Sequence, residues 1–411
     1  MIRRRHVFYV EAFDTHGVTG YHRLFRREYA RFAKVWSTTG RVGEPEIDSD
    51  GVAARWQVET AGPNWQVVTT YEMLRWDDII AAGLAHAMWR RLPRAIASFA
   101  DNVANGTVAH MFRVSRRFGL SYVFPFVFLM LMVVFTLLLG VIGAWFGLRH
   151  TGSSTAALTG GVALGASAYA AASMLARKWH VVHLADGWMW GNDWGRGRKP
   201  EFIERLDVFA RRIIARAQAA DVDEILVIGH SLGATACLPL IARALEIAPG
   251  FARSVPHFSM LTLGNPFTTS HPQAKLFRAG VPRIVSEPSV TWIECQARKD
   301  AMNFYNFDPL WGASLDPEQP RRNPILWLVR FDGALLPQFY RKLRWNFLRM
   351  HYQFVMANDL RAPYDYFMLV CGPVPASDWA RRGRDLVAAF ANDATFSTER
   401  LARPLVEEKS L

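Results

Sequence analysis

The sequence contains a run of 31 consecutive residues without a charged side chain, from Phe118 to Leu148. Within it, Leu120 to Phe146 supplies 27 residues, whereas about 20 apolar residues are enough for a helix to cross the hydrocarbon core of a bilayer. A second charge-free stretch, of 22 residues, extends from Thr155 to Ala176. Because only a short polar turn separates the two stretches, residues 118–176 are predicted to form a transmembrane helical hairpin.

The second stretch is rich in alanine and glycine, and its small residues recur every four positions. They are Ala157, Gly161 and Gly165, followed by Ala168, Ala172 and Ala176. Small side chains on one helix face allow two helix backbones to approach closely inside lipid. The alternative is a pair of buried helices in a soluble core, which normally does not need so long a run without charge.

The composition of the 411-residue chain agrees with a membrane location. Hydrophobic residues make up 51% and charged residues 20% of the chain, which is more apolar than an average soluble protein. The net charge of +12 suits an anionic membrane surface, nucleic acid or an acidic substrate. Since the sequence has no metal-finger spacing and no basic-aromatic RNA motif, we expect no nucleic-acid partner. The three cysteines are widely separated in apolar contexts, which favours reduced core residues.

The residues before the hairpin, 1–117, predict the beginning of an α/β domain. His6 to Val10 is typical of a short buried strand, and Tyr21 to Trp36 shows the spacing of an amphipathic helix. Ala53 to Thr60 and Trp65 to Tyr71 alternate between apolar and polar residues around a Gly-Pro-Asn turn, which predicts a β-hairpin. Residues from Asp77 onward favour helix.

After the hairpin, residues 177–411 alternate between strand and helix patterns. Strands are predicted at residues 180–186, 224–229, 257–264, 290–296 and 366–372, and helices over residues 200–217 and 232–246. This alternation predicts a mostly parallel sheet with helices on both faces. The chain is therefore expected to form one α/β domain from two sequence pieces, with the hairpin inserted between them.

Ser231 lies in the motif Gly-His-Ser-Leu-Gly, between Gly229 and Gly233. The five-residue pattern alone arises by chance fairly often, but here it follows a buried strand and opens a helix. That setting is the nucleophile elbow, a sharp turn that exposes a serine hydroxyl in a strained backbone conformation. The two glycines leave room for the arms of the turn to pass. We therefore predict that Ser231 is a catalytic nucleophile.

A serine hydroxyl needs a base to remove its proton and a carboxylate to orient that base. Three histidines follow Ser231, namely His257, His271 and His351, and His351 is selected because the other two precede every late acidic candidate. Asp300, four residues beyond a predicted strand, is the preferred acid, and Asp308 is the alternative. For the oxyanion of the tetrahedral intermediate, backbone N–H groups of Leu232 and Phe13 are the expected donors.

With these residues in place, the chain resembles the α/β-hydrolase superfamily, in the Gly-His-Ser-Leu-Gly form common among lipases and esterases. The resemblance covers roughly residues 5–36 and 180–372 and implies an α/β-hydrolase-like fold and a serine hydrolase that needs no cofactor and no metal. His351 precedes the predicted strand at residues 366–372, whereas the family pattern places the histidine after the last strand.

The leading hypothesis is a membrane-anchored serine hydrolase that cleaves carboxylic esters, with lipid esters preferred. The alternatives are a thioesterase or amidase that uses the same triad, and a non-catalytic membrane scaffold with a relic fold. The positive charges predict the orientation, because cytoplasmic flanks of membrane helices are enriched in lysine and arginine. Those at the outer ends of the hairpin are Arg113, Arg116, Arg117, Arg177 and Lys178, whereas the turn holds Arg149. Both termini and the catalytic part are thus expected in the cytoplasm, under a membrane of the bacterial inner-membrane kind.

Two segments combine tryptophans with cations, as expected at a lipid headgroup boundary. One places Trp188, Trp190 and Trp194 beside Arg196, Arg198 and Lys199. The other mixes Arg341, Lys342, Arg344 and Arg349 with Leu343, Trp345, Phe347 and Leu348. Both are hypothesised to border the mouth of the active site and to contact the bilayer; the alternative is that the tryptophans pack in the core and the arginines are solvated.

Overall fold

The structure is a computed structural model that describes residues 1–84, 88–267, 275–311, 313 and 321–402, with the side chains of residues 88–90 left aside. The chain divides into two compact units, which are described separately. The first comprises Met1–Ala82 and Gly195–Leu411, and the second comprises Gly83–Trp194. The second unit begins earlier and ends later than the predicted hairpin, because further helices of the chain belong to it.

The first unit contains a mixed, mostly parallel sheet flanked by helices. Its strands within the described residues are β1 Arg4–Val10, β2 Thr39–Val42, β3 Glu46–Ile47, β4 Ala53–Gly62, β5 Trp65–Leu74, β6 Glu224–His230, β7 His257–Leu263, β8 Thr291–Ala297 and β9 Ile325–Val329. The order is β2-β4-β5-β1-β6-β7-β8-β9, and β3 pairs with β4. From β5 to β9 all neighbours are parallel, whereas β4 is antiparallel to β2, β3 and β5. The predicted α/β class, β-hairpin and early strands are confirmed.

The register of the central strands gathers their carboxyl ends at one edge of the sheet. Val10, the last residue of β1, lies opposite Gly229 of β6 and Leu74 of β5. His230, the last residue of β6, lies opposite Leu263 of β7. Since parallel strands end level with one another, the segments that follow β1, β6, β7 and β8 start from the same edge.

Helices of the first unit cover both faces of the sheet. They are α1 Gly17–Trp36, α8 Pro200–Gln218, α9 Leu232–Ile247, α10 Lys275–Ala279, α11 Val281–Ser286, α12 Pro337–Leu343, α13 Phe347–His351, α14 Tyr366–Cys371, α15 Ala376–Ala389 and α16 Thr398–Ala402, while α2 Asp77–Leu84 leads into the second unit. The Tyr9 ring stacks on Tyr21 of α1 at 4.7 Å. His6 instead accepts a hydrogen bond at Nδ1 from Arg216 Nε of α8, at 3.0 Å. Residues three apart on a strand point to opposite faces, so α1 and α8 lie on opposite sides.

Two predicted strands are wrong, because short apolar runs suit a buried helix as well as a buried strand. Of the predicted strand at residues 180–186, residues 181–186 belong to the helix α7 Val181–Gly195, where Val181, Ala185 and Trp188 are buried at helical spacing. Residues 366–372 contain α14 instead, whose side chains are all buried. The carboxylate of Asp365 caps α14 by accepting hydrogen bonds from the N–H groups of Phe367 and Met368, both at 3.1 Å.

The strand β9 was not predicted from the sequence. Its side chains are mostly half-exposed, which is typical of a strand at the edge of a sheet, and it follows a proline at position 324. Among the described residues β9 is the last strand of the sheet, and residues 366–371 are helical, so His351 follows the strands instead of preceding the last one.

The second unit is helical, with α3 Met88–Ala104, α4 Thr107–Val114, α5 Arg116–Thr151, α6 Ser154–Lys178 and α7. Helices α5 and α6 are long and apolar enough to cross a membrane. In their most apolar 18-residue windows, 22% of α5 and 6% of α6 is buried in the protein. Their apolar surfaces are therefore not those of ordinary core helices, which bury most of their apolar face.

Glycines bring α5 and α6 into close contact. Gly161 and Gly165 of the predicted small-residue pattern take part, but the closest approaches are at Gly143, Gly147 and Gly160, which the pattern does not include. A Cβ atom at Gly143 would lie 2.3 Å from the carbonyl oxygen of Gly160, and one at Gly147 would lie 2.2 Å from that of Ala156. A Cβ atom at Gly161 would lie 3.0 Å from Gly140 O. Since real Cβ atoms do not approach so closely, this backbone contact requires glycine.

The beginning of α5 packs within the second unit. Tyr122 contacts the Trp188 ring of α7 at 5.1 Å, and its hydroxyl accepts a hydrogen bond from Asn192 Nδ2 at 2.8 Å. Trp188, Trp190 and Trp194 are all buried. The hypothesis that these tryptophans form an exposed boundary is therefore wrong, because α7 buries them within the protein.

Candidate active site

Ser231 occupies a strained turn between β6 and α9. Its φ of 57° and ψ of −125° fall outside the regions that residues with a Cβ atom favour, which costs of order 1–3 kcal/mol. Its N–H donates to the carbonyl oxygen of Leu263, the last residue of β7, at 3.0 Å. Since such strain persists only where the surroundings enforce it, the turn is a built feature of this edge of the sheet.

Glycine is required at positions 229 and 233, two residues on either side of Ser231, because a side chain there would clash with the backbone. A Cβ atom at Gly229 would lie 2.2 Å from the carbonyl oxygen of Gly233, and one at Gly233 would lie 2.2 Å from Val10 O. The first turn of α9 thus passes directly against β6 and against the end of β1. This is the spatial role that the motif predicts for both positions.

His351 and Asp300 are brought together by the fold. The His351 Nδ1–H donates to Asp300 Oδ2 at 2.7 Å, and both side chains are buried. The Asp300 carboxylate also accepts hydrogen bonds from Met302 N, at 2.8 Å, and Asn303 Nδ2, at 2.7 Å. These donors fix the carboxylate, and the carboxylate in turn fixes the tautomer and orientation of the imidazole.

The second ring nitrogen of His351, Nε2, is available to accept a proton. Within the part of the chain that the structure describes, Nε2 is buried and has no hydrogen-bond partner, so no bond to the Ser231 hydroxyl is formed. The His351 ring nevertheless lies at the same strand end as Ser231, because a Cβ atom at Gly264 would be 3.0 Å from His351 Cε1. Leu263, the last residue of β7, thus contacts Ser231, and the next residue, Gly264, contacts His351. Catalytic hydrogen bonds are often long before substrate binds.

The alternative acid Asp308 and the histidine His257 are not part of this arrangement. Asp308 Oδ2 accepts from Arg321 at 2.8 Å on the surface, and Asp308 Oδ1 accepts from Leu310 N at 2.9 Å. His257 opens β7 opposite Glu224, at the amino edge of the sheet. That is about 20 Å along the strand from Ser231, at 3.3 Å per residue. His271 lies outside the described residues.

His230 is a functional candidate that the sequence analysis missed. It is buried, its Nε2–H donates to the backbone oxygen of His351 at 3.0 Å, and the two rings lie 4.6 Å apart. Burial and the neighbouring His351 lower the pKa of His230 well below its ordinary value, so it stays neutral. A neutral ring has a single N–H, which is the one given to His351. The motif itself contained this residue, but its partner is 121 positions away.

The loop after β1 contains the predicted donor Phe13, which is buried. Next to it, the Asp14 carboxylate accepts hydrogen bonds from the Tyr352 hydroxyl and from His16. Burial by itself would raise the pKa of Asp14, but these hydrogen bonds bring it below its ordinary value. The bond to Tyr352 joins this loop to the residue that follows His351, another link that sequence spacing does not reveal.

Leu232 is the first residue of α9, and the first N–H groups of a helix have no partner within the helix. Gly233 lies against Val10 O and Glu11 O at the end of β1. The start of α9 and the beginning of the Phe13 loop therefore adjoin each other, at a helix end whose dipole favours negative charge. Such an arrangement can stabilise an oxyanion formed at Ser231.

No group of three or more histidine, cysteine or acidic side chains with metal-binding geometry occurs among the residues that the structure describes. A scan against protein-family models finds no match, and searches for similar curated proteins and similar solved structures find none either. Function is therefore inferred from the side chains and their geometry.

Proposed function

We propose that the protein is a membrane-anchored serine hydrolase of the α/β-hydrolase kind that cleaves carboxylic esters, with lipid esters as the preferred class. The observation that carries the proposal is the combination at one sheet edge of a strained Ser231 with a buried His351–Asp300 pair whose Nε2 is open. A buried polar atom without a partner needs an explanation. A general base that accepts the proton of a nucleophile only during the reaction is such an explanation.

The reaction follows from the roles of these groups. Ser231 Oγ attacks the ester carbonyl carbon while its proton moves to His351 Nε2, and Asp300 stabilises the resulting imidazolium through Nδ1–H. The oxyanion accepts hydrogen bonds from the N–H groups of Leu232 and Phe13. The C–O bond then breaks, His351 returns its proton to the alcohol, and an acyl-serine remains. Water attacks that acyl group through the same base, which releases the acid and restores Ser231.

The membrane part of the proposal is supported by α5 and α6. Both helices are long and apolar enough to cross a bilayer, and their apolar surfaces are mostly not buried. Cations flank the outer ends of the pair, so the positive-inside rule favours a cytoplasmic catalytic unit. An enzyme anchored in this way meets lipids at high local concentration, which favours a lipid ester over a soluble metabolite.

The proposal is tested by labelling with a fluorophosphonate, which reacts with activated serines. Membranes that contain the full chain should be labelled and should hydrolyse a short ester, whereas Ser231→Ala should lose both, a fall of about 10⁶-fold in kcat for loss of the nucleophile. Ser254→Ala, an exposed serine outside the site, is the matched control and should behave as the wild type. Undiminished labelling and hydrolysis by Ser231→Ala would disprove the assignment.

A further inference from the structure

The second predicted aromatic and basic segment is exposed, in contrast to the first. On α12, α13 and their connection, the exposed fractions of Phe339, Trp345 and Phe347 are 45%, 73% and 55%. Arg341, Lys342 and Arg344 are exposed beside them. We call these six residues the aromatic-basic surface. Large aromatic side chains that are exposed in a cluster mark a contact site.

The charge of this surface is uncompensated. The sequence has no acidic residue between Asp332 and Asp359. None of the three cations forms an ion pair with an acidic residue in the described ranges, and the guanidinium of Arg344 lies 5.5 Å from the centre of the Trp345 ring. Some arginines of similar exposure in the first unit do form ion pairs, as Arg330 does with Asp332. A cluster of unpaired cations therefore complements an anionic partner.

We propose that the aromatic-basic surface binds the headgroup region of a bilayer that contains anionic phospholipid. Cations attract anionic headgroups, while tryptophan and phenylalanine enter the boundary between headgroups and acyl chains. A soluble acidic partner would use the cations but leave the three aromatic side chains in water. The proposal rests on the proposed membrane anchor, but not on catalysis.

The surface is directly connected to the candidate site. α13 begins at the exposed Phe347 and ends at the buried His351, so these two residues are about one helical turn apart. Bilayer contact thereby holds the histidine segment at the membrane, where a lipid ester would be presented. The hydrogen bond from the Tyr352 hydroxyl to the Asp14 carboxylate holds the residue that follows His351.

The test uses the full chain in nanodiscs made of phosphatidylcholine alone or mixed equally with phosphatidylglycerol. An environment-sensitive fluorophore is attached to Gln338→Cys, an exposed position on α12, and separately to Gln66→Cys on β5 as the matched control. We expect the label at position 338 to report an apolar environment in the mixed discs, with less change in phosphatidylcholine and at high salt. The label at position 66 should not respond.

Charge reversal provides the decisive comparison. Each cation near an anionic surface is worth about fivefold in binding, so the triple variant Arg341→Glu, Lys342→Glu and Arg344→Glu, which removes three cations and adds three anions, should lower the docked-to-undocked ratio by at least about a hundredfold. The control triple, Arg23→Glu, Arg211→Glu and Arg283→Glu, changes exposed arginines on α1, α8 and α11 and should leave the ratio within about twofold. Both triples should still hydrolyse a short soluble ester.

Failure of this inference differs from failure of the proposed activity. A label response that is equal in the two lipid mixtures, or that survives the triple charge reversal, would overturn the docking surface even if hydrolysis is normal. A chain that does not enter nanodiscs would contradict the anchor and the docking surface together. Because Ser231→Ala leaves the surface intact, docking should persist in that variant whether or not Ser231 is the nucleophile.

Discussion

The two edges of the parallel sheet use buried polar groups in opposite ways. At the amino edge, Arg5 of β1 and Glu224 of β6 form a fully buried ion pair at 2.6 Å. Arg5 also donates to Gly372 O at 2.7 Å and to Val374 O at 3.0 Å, and the Glu224 carboxylate accepts from Ala376 N at 2.8 Å. These groups are satisfied, so this edge stabilises the fold.

At the carboxyl edge, two buried ring nitrogens lack hydrogen-bond partners among the described residues. Within the described residues, His351 Nε2 and His230 Nδ1 have no hydrogen-bond partner, and Ser231 keeps a strained backbone. Unsatisfied atoms and strain both cost free energy that folding must supply elsewhere. The comparison teaches that the same two strands carry a buried ion pair with all its partners at one end and the proposed active site at the other.

The largest effect is expected at the carboxyl edge. Asp300→Asn should lower kcat for a short ester by about 10⁴-fold, because an amide cannot hold the imidazole in the catalytic tautomer. Its thermal unfolding midpoint should change little by comparison. Asp308→Asn is the matched control and should keep activity within about twofold, since Asp308 pairs with Arg321 on the surface. If Asp308→Asn were the more damaging change, the acid would be misassigned.

At the amino edge, the expected effect is on stability. Glu224→Gln should cost about 3–5 kcal/mol of the free energy of unfolding, because it leaves the Arg5 charge buried without its partner. Thermal unfolding in detergent measures this loss, and the kcat of the molecules that stay folded should be unchanged. Asp332→Asn removes an exposed pair and should cost at most about 1 kcal/mol.

A double variant sharpens this second prediction. Replacing both partners, by Arg5→Met with Glu224→Leu, removes both buried charges and should recover most of the lost stability. A double variant as unstable as Glu224→Gln would mean that the hydrogen bonds of Arg5 to Gly372 and Val374, and not its charge, dominate at this edge.

The smallest effect concerns the Asp14–Tyr352 hydrogen bond. Tyr352→Phe should cost about 1.5–3 kcal/mol of the free energy of unfolding, as for other hydrogen bonds to a charged group. Burial would raise the pKa of Asp14, but His16 and Tyr352 lower it below its ordinary value of 3.8. A carboxylate with a lowered pKa stabilises the fold above that ordinary value and loses this contribution as pH falls through its folded pKa.

The stability difference between wild type and Tyr352→Phe should therefore be constant at neutral pH and shrink below about pH 3.8. Asp14 raises the pKa of its partner His16, so the contribution of His16 to the free energy of unfolding is lost as pH rises through its folded pKa. Because both proteins retain His16, most of this change cancels in the difference between them. Unfolding midpoints across this pH range measure the difference. A difference that grew in acid would indicate that Asp14 is not the charged acceptor.

Sequence patterns predicted the parts of the fold in which local signals agree. The strand before Ser231, the helix after it and the hairpin of β4 and β5 follow from periodicity and turn chemistry. Residues 180–186 and 366–372 were misassigned because a short apolar run fits either buried element. Periodicity cannot separate the two without knowing what covers each face.

The two tryptophan-containing segments illustrate the same limit at the level of function. Both have the composition of a membrane boundary, yet Trp188, Trp190 and Trp194 are buried whereas Trp345 is 73% exposed. Composition records which side chains are present, but burial depends on what packs against them. Only the structure could distinguish a hydrophobic core from a candidate docking surface.

The sequence by itself determined the local devices: a charge-free run long enough for a bilayer, and a serine between two glycines at a strand-to-helix turn. These depend on neighbours a few residues apart, whose geometry the backbone dictates. The tertiary structure decided which distant groups meet, namely His351 with Asp300, His230 with the backbone of His351, and Tyr352 with Asp14. Such pairs lie 51, 121 and 338 positions apart, and only the strand order and register of the sheet bring them to one edge.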